Sequence, residues 1–163
     1  MVGDVLPVRI LTMQMIANLS PGLAERLLRD SDYRSIGLIS TDCDDVTYLA
    51  LDAATKVSNV EVIYGKSLYG GAGNATTGLA GEVIGILAGP TPSEVISGLR
   101  GAEDFIQSGV GFRTANDPGD VVYLAHCVSR TGSYLAKAAG VPIGQALAYL
   151  IAPPVEAVIG RHD

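Results

Sequence analysis

Three aspartates, Asp42, Asp44 and Asp45, follow the apolar run Ile36–Ser40 at the point where a helix is expected to begin. Carboxylates in the first turn of a helix interact favourably with its dipole and accept hydrogen bonds from free N–H groups. Three carboxylates within four residues also repel one another, so a bound metal ion or ammonium group would stabilise them. The residues alone leave both interpretations open, helix capping and cation binding.

A second candidate is the segment His126–Gly132, which places a cysteine before an arginine and a glycine, as in the nucleophile loop of cysteine-dependent phosphatases. Those enzymes need a longer spacing so that the loop can wrap a phosphate, whereas only two residues separate Cys127 from Arg130 here. The segment is therefore predicted to be the end of a strand and a turn. A hydrolase that uses Cys127 with His126 is the remaining enzyme hypothesis.

Two further patterns fail the requirements of known sites. The glycine-rich run Gly70–Gly73 is not followed by the Lys-Ser/Thr pair of a phosphate-binding loop, so it is predicted to be a flexible loop. Neither His126 nor His162 has a second ligand at metal-binding spacing, which argues against a structural zinc site. No cofactor is predicted.

The elements that would position these residues alternate between strand and helix. Strands are predicted at Leu6–Ile16, Ser35–Ser40, Val60–Tyr64 and Glu82–Leu87, and helices after Ser20, after Thr41 or Asp42, and after Thr91, with a loop at Gly109–Asp120. The order β-α-β-α-β-β-α indicates an α/β (α+β) fold with one sheet covered by helices. Its adjacent strand pair favours a ferredoxin-like split βαβ arrangement over a doubly wound sheet.

Part of this pattern recurs about 112 positions later, which indicates an internal duplication. Arg9–Leu28 corresponds to Val121–Gly140, and Ile36–Tyr48 corresponds to Ala148–Gly160. We predict a first domain in residues 1–108 and an incomplete second copy in residues 109–163. The short second copy would leave sheet edges and an apolar face uncovered. A fragment, or a chain covered by another subunit, is therefore expected.

Composition restricts the classes of partner. Charged residues make up 17% of the chain, against roughly 25% in an ordinary soluble domain, which predicts extensive contact with other subunits; a small enzyme with an Ala/Gly-rich core is the alternative. A net charge of −6 argues against binding to nucleic acid. No uninterrupted membrane-spanning segment is evident, and Cys43 and Cys127 are expected to be reduced. A soluble cytosolic protein is predicted.

Five segments together resemble one known family: DCDDVTYLALDAATK (42–56), VEVIYGKSLYGGAGNATT (60–77), AGEVIGILAGPTPSEV (80–95), AHCVSRTGSYL (125–135) and AYLIAPPVEA (148–157). The chain resembles the ethanolamine-utilization bacterial microcompartment shell proteins of the EutL type. The resemblance implies tandem, circularly permuted microcompartment (BMC) domains and a non-catalytic protein. Its copies would form a flat homotrimer, a pseudohexameric tile with a gated pore, which packs with other shell proteins in the bacterial cytoplasm. The chain departs from the family in lacking the C-terminal part that would complete the second domain.

The resemblance also implies a binding site for ethanolamine, formed by Asp44, Asp45, Glu82 and Phe112. Carboxylates accept hydrogen bonds from an ammonium group, and an aromatic face adds cation–π attraction. Some family members bind zinc through residues that resemble Asp45 and Glu82. The pore loops would contain Tyr69, Gly70, Gly71, Gly73, Gly111, Arg113 and Asn116. The alternative function is a stand-alone sensor that binds a small amine without assembling into a shell.

Overall fold

The computed structural model describes residues 1–28, 32–68 and 81–152. Their elements are β1 (Ile10–Ile16), α1 (Pro21–Leu27), β2 (Ser35–Thr41), α2 (Asp44–Val57), β3 (Glu61–Ser67), β4 (Val83–Gly89), α3 (Pro92–Gln107), β5 (Arg113–Thr114), β6 (Val122–Val128), α4 (Ser133–Ala139) and β7 (Leu147–Ile151). The predicted order from β1 to α3 is confirmed. Within these described ranges, no helix has the length and apolar character needed to cross a membrane.

The two largest differences from the sequence-based predictions concern the start of β1 and the loop after α3. β1 begins at Ile10 rather than Leu6, because Pro7 has no N–H group to continue a ladder of hydrogen bonds. Upstream of it, the Leu6 N–H instead donates to the carbonyl oxygen of Phe112 at 2.8 Å. Next to this bond, Val5 forms an antiparallel bridge with Arg113 of the short strand β5. This strand lies inside the segment predicted to be a loop.

The first sheet has the strand order β1-β2-β4-β3, and every neighbouring pair is antiparallel. Since β2 and β3 both run antiparallel to the strand between them, they are parallel to each other, which is the predicted split βαβ arrangement. Helices α2 and α3 pack against each other and against this sheet. Close packing requires glycine in β4, because a Cβ atom at Gly85 would lie 2.8 Å from the methyl carbons of Leu51.

The second sheet has the order β5-β6-β7 and is also antiparallel. Adding 112 to the bounds of β1 and α1 gives the bounds of β6 and α4, and adding 112 to the first residue of β2 gives the first residue of β7. The recurrence found in the sequence is therefore present in the secondary structure.

The second half is attached to the first by a buried carboxylate. Asp52 of α2 is 0% exposed, and its two oxygens accept the N–H groups of Gly132 at 2.8 Å and Leu135 at 2.9 Å. The ammonium group of Lys56 lies 3.3 Å from the same carboxylate. These N–H groups belong to the start of α4, which has no side-chain cap of its own. Asp52 therefore supplies the missing cap from another element.

Glycine is required where the two halves meet. Thr55, one turn after Asp52, accepts the N–H of Ser133 at 3.1 Å. A Cβ atom at Gly132 would lie 2.2 Å from the Thr55 hydroxyl oxygen and 2.6 Å from the Asp52 carbonyl oxygen. No side chain fits into this contact, so the close approach of α2 to α4 depends on glycine at this position.

Candidate functional site

The candidate site lies at the N-terminus of α2, directly after β2. The expected cap at Thr41 or Asp42 is wrong, because Cys43 occupies the N-cap position in an extended conformation and makes no side-chain capping bond. Thr41 instead forms a buried hydroxyl–hydroxyl bond of 2.6 Å with Thr47. Burial raises the pKa of the Cys43 thiol to about 12. This thiol is therefore protonated at neutral pH and is no nucleophile.

Asp42 is separated from the other two aspartates by its partner. Its carboxylate accepts both the backbone N–H and the Nε–H of Arg9, at 2.8 and 2.9 Å. Asp42 therefore stabilises the packing of the segment before β1 against the end of β2. Of the three carboxylates that the sequence placed in one cluster, only Asp44 and Asp45 face a common site.

Asp44 and Asp45 occupy the first turn of α2, and each is partly engaged by the protein. One oxygen of Asp44 accepts the N–H of Asp45 at 2.8 Å, and Asp44 is only 9% exposed. Burial raises the pKa of Asp45, and the negative charge of Asp44 raises it further. Among the described residues, neither carboxylate has a hydrogen-bond partner for its second oxygen. Two acceptors for a cationic ligand therefore remain at this helix start.

Two tyrosines complete the polar part of the site. The hydroxyl of Tyr149, on β7, donates to Asp45 Oδ1 at 2.8 Å. Burial and this bond to Asp45 both raise the pKa of the Tyr149 phenol, so it remains a donor at neutral pH. Tyr48 lies one turn further along α2 and accepts the N–H of Ser67 at 3.1 Å. Sequence analysis missed both tyrosines, and their only signal was a polar hydroxyl within an otherwise apolar segment.

Glu82 approaches the same end of the sheet. An isolated parallel bridge joins Gly81 to Cys43, which brings the next residue, Glu82, beside the start of α2. The Glu82 carbonyl oxygen accepts the N–H of Leu68 at 2.8 Å. Nearby, the Ser67 hydroxyl is buried and has no hydrogen-bond partner in the part of the chain that the structure describes. A buried hydroxyl of this kind favours a ligand that can hydrogen-bond to it.

Phe112 differs from the other predicted ligand residues. It is 4% exposed and belongs to the same hydrophobic cluster as Cys43 and Ile106. Its ring is therefore part of the hydrophobic core and is closed to solvent. A cation–π contact with a ligand at Phe112 stays a prediction.

The predicted pore loops fall in two different regions. Tyr69, Gly70, Gly71 and Gly73 lie outside the described residues. In the second loop Gly111 is buried, Arg113 donates to the carbonyl oxygen of Gly3 at 2.9 Å, and Asn116 accepts the N–H of Gly119 at 3.1 Å. Gating by either segment stays a prediction.

The structure gives little support to metal binding or to a cysteine nucleophile. In residues 1–28, 32–68 and 81–152 no three His, Cys, Asp or Glu side chains converge to hold a metal ion, so the zinc expectation at Asp45 and Glu82 lacks a third ligand there. His126 packs edge-on against Phe105, with ring centroids 5.6 Å apart. Successive residues of a strand point to opposite faces, so the side chains of His126 and its neighbour Cys127 point away from each other.

Comparisons with known proteins agree with the fold. The BMC domain family matches residues 35–112. The chain is 57% identical to the bacterial microcompartment shell protein EutL of Clostridium perfringens, over 97% of this chain and 73% of that protein. Identity to EutL of Salmonella typhimurium is 47%, over 96% and 72%. The crystal structure of ethanolamine utilization protein EutL from Leptotrichia buccalis superposes with a TM-score of 0.87 at 57% identity, over 97% of this chain and 73% of that one.

These relatives are shell proteins, and identity of this level extends over nearly the whole chain. The predicted family and fold class are thereby confirmed, and a structural role in a microcompartment shell follows from them. The chain belongs to the EutL family of bacterial microcompartment shell proteins.

Proposed function

We propose that this shell protein binds ethanolamine at the start of α2 and that binding regulates a gated pore for small metabolites. The observation that carries the proposal is the Asp44–Asp45 pair, in which each carboxylate keeps one oxygen without a partner among the described residues. An ammonium group has three donors and bonds best to ionised acceptors. The name of the Leptotrichia relative, an ethanolamine utilization protein, supports the choice of this amine.

The electrostatics of the pair favour a cationic ligand. Burial disfavours the ionised form of Asp45, and Asp44 adds repulsion from a like charge. A bound ammonium group relieves both effects, because an opposite charge within a few ångströms favours the ionised form. We propose that Glu82, the residue after the bridge between Gly81 and Cys43, and the buried Ser67 hydroxyl complete the polar side of the site, so that a ligand with a hydroxyl and an amine finds a partner for each group. Phe112 is proposed to complete the site from the apolar side.

Calorimetric titration with ethanolamine tests the proposed site. Asp45→Asn should weaken binding by about 1.5–3 kcal/mol, the scale of a hydrogen bond to a charged group, which corresponds to roughly 10- to 150-fold in affinity. The matched control is Asp104→Asn, because Asp104 loses the same charge on the exposed side of α3. Equal affinities for the two variants would mean that the Asp44–Asp45 pair only stabilises the helix.

For assembly, we propose that residues 1–108 and 109–163 form two related units of one subunit, and that three subunits make a pseudohexameric tile in a shell of the bacterial cytoplasm. The recurrence of β1 and α1 as β6 and α4 supports the two units, and the low charged fraction of 17% supports wide subunit contacts. Sedimentation should give the mass of a trimer, and electron microscopy should show extended sheets. A discrete oligomer that never forms sheets would instead indicate the stand-alone amine sensor.

A further inference from the structure

We propose that Tyr149 is a positioning residue of this site, whose hydroxyl orients the Asp45 carboxylate to receive an ammonium group. The inference rests on the proposed function, because it assigns a role within the same site. It adds a residue from the second half of the chain to a set that otherwise comes from the first half.

Geometry supports the assignment. The Tyr149 hydroxyl donates to Asp45 Oδ1 at 2.8 Å, across 104 positions of sequence. A carboxylate on a helix start has rotational freedom, and a donor on one oxygen fixes the direction of the other. Asp45 Oδ2 is the atom that remains available among the described residues, so Tyr149 determines where an ammonium group would be bound.

The same bond favours the ionised form of Asp45. Burial is the main cause that raises the pKa of Asp45, the charge of Asp44 acts in the same direction, and the bond from Tyr149 opposes both. A donor to the ionised form favours that form. Without the hydroxyl, the pKa of Asp45 rises, the carboxylate becomes protonated at a higher pH, and ammonium binding is lost at a higher pH as the solution is acidified.

Other ionisable groups surround this bond, and their titrations must be distinguished from that of Asp45. Asp44 and Tyr48 lie on α2, Glu82 approaches through the bridge at Cys43, and His126 is the cross-strand neighbour of Tyr149. Burial and the charge of Lys56 lower the pKa of His126, so His126 also titrates on the acidic side of neutrality. The pH dependence of the binding affinity would reflect the titration of all these groups. A signal specific to the Asp45 carboxyl carbon is therefore needed.

The experiment compares the wild type, Tyr149→Phe and the control Tyr64→Phe, which removes a phenol on the exposed side of β3. Carbon-13 NMR of the ligand-free proteins follows the Asp45 carboxyl through a pH titration, and calorimetry with ethanolamine measures affinity at several pH values. Tyr149→Phe should raise the pKa of Asp45, weaken binding about 3- to 10-fold at neutral pH, and move the acidic loss of binding to higher pH. Tyr64→Phe should leave all three unchanged.

A second variant keeps the inference testable if Tyr149→Phe unfolds. Incorporation of 3-fluorotyrosine at position 149 retains the ring and makes the phenol a stronger donor, so it should lower the pKa of Asp45. If the wild type binds ethanolamine but the pKa of Asp45 is unchanged in either variant, the role of Tyr149 is overturned and the proposed function stands. Failure of the wild type to bind ethanolamine at any pH overturns the proposed function and the role of Tyr149 with it.

Discussion

Replacement of Asp52 by asparagine tests the attachment of the second half to the first. The aspartate carboxylate accepts two N–H groups, from Gly132 at 2.8 Å and from Leu135 at 2.9 Å, in a site with 0% exposure. Asparagine has a single acceptor oxygen, and its NH₂ group would face one of these donors. One backbone N–H is then buried without a partner, and the other hydrogen bond loses its ionic component.

The magnitude follows from these contacts. Losing a hydrogen bond to a charged group amounts to about 1.5–3 kcal/mol, and an unpaired buried donor adds roughly 1–3 kcal/mol. The pair with Lys56 adds little, because its side chain is 34% exposed and solvent screens such pairs. We expect the free energy of unfolding to fall by about 2.5–6 kcal/mol, a large part of the roughly 5–15 kcal/mol of a typical domain.

Urea unfolding measures this change, and amide hydrogen exchange locates it. Exchange at Gly132 and Leu135 should accelerate more than exchange at the centre of α3, since the loss begins at the first turn of α4. Asp104→Asn is again the control, and it should change the free energy of unfolding by no more than about 0.5 kcal/mol. A loss below about 1 kcal/mol for Asp52→Asn, with unchanged exchange in α4, would refute the reasoning. The apolar contacts of α4 would then hold it without the carboxylate.

Two further predictions concern thiols and a buried hydroxyl. Cys43 is buried with its pKa raised to about 12, whereas Cys127 is exposed. Iodoacetamide at mildly alkaline pH should therefore label the native chain once, at Cys127, as read by mass spectrometry, and labelling of Cys43 in the folded protein would contradict this. Ser67→Ala removes a buried hydroxyl without a partner among the described residues, so thermal unfolding of the ligand-free protein should show unchanged or slightly higher stability. Ethanolamine affinity should fall in the same variant, and a clear loss of stability would show that the hydroxyl is bonded in the free protein.

The helices and strands of the first half could be predicted because their signals are local. Thr91 caps α3 by accepting the N–H of Glu94 at 3.2 Å, and the run Thr91-Pro92-Ser93-Glu94 has the residue types of such a helix start. The apolar residues that recur at helical spacing along α3 are buried, namely Val95, Leu99, Ala102 and Ile106. Capping and periodicity depend on residues within a few positions of one another, so both signals can be recognised in a single sequence.

The hydrogen-bond partner of each carboxylate could not be predicted from the sequence, because these partners lie far away in the chain. Asp42 and Asp45 are the same residue type three positions apart, yet Arg9 binds one and Tyr149 binds the other. Asp52 appeared only as a charged residue within a helix, and its partners lie 80 and 83 positions away in the chain. No pattern of composition or period contains such information. The family resemblance contributed Asp45 and Glu82 to the proposed site but contributed neither Asp52 nor Tyr149.

Two carboxylates that bond to the second half lie on one stripe of α2. Asp45, Tyr48 and Asp52 stand at spacings of three and four residues, which places them on one face of a helix, while Val46, Ala50 and Ala54 on another face are fully buried. A single helix therefore packs on the sheet with one side and binds the second half with the other. Since Asp45 belongs to the proposed ligand site and Asp52 holds α4, a shift of the second half along this stripe would change the position of Tyr149 against Asp45. The geometry of the proposed ligand site therefore depends on the attachment of the second half through Asp52. Asp52→Asn should weaken ethanolamine binding although Asp52 lies two helical turns from the site.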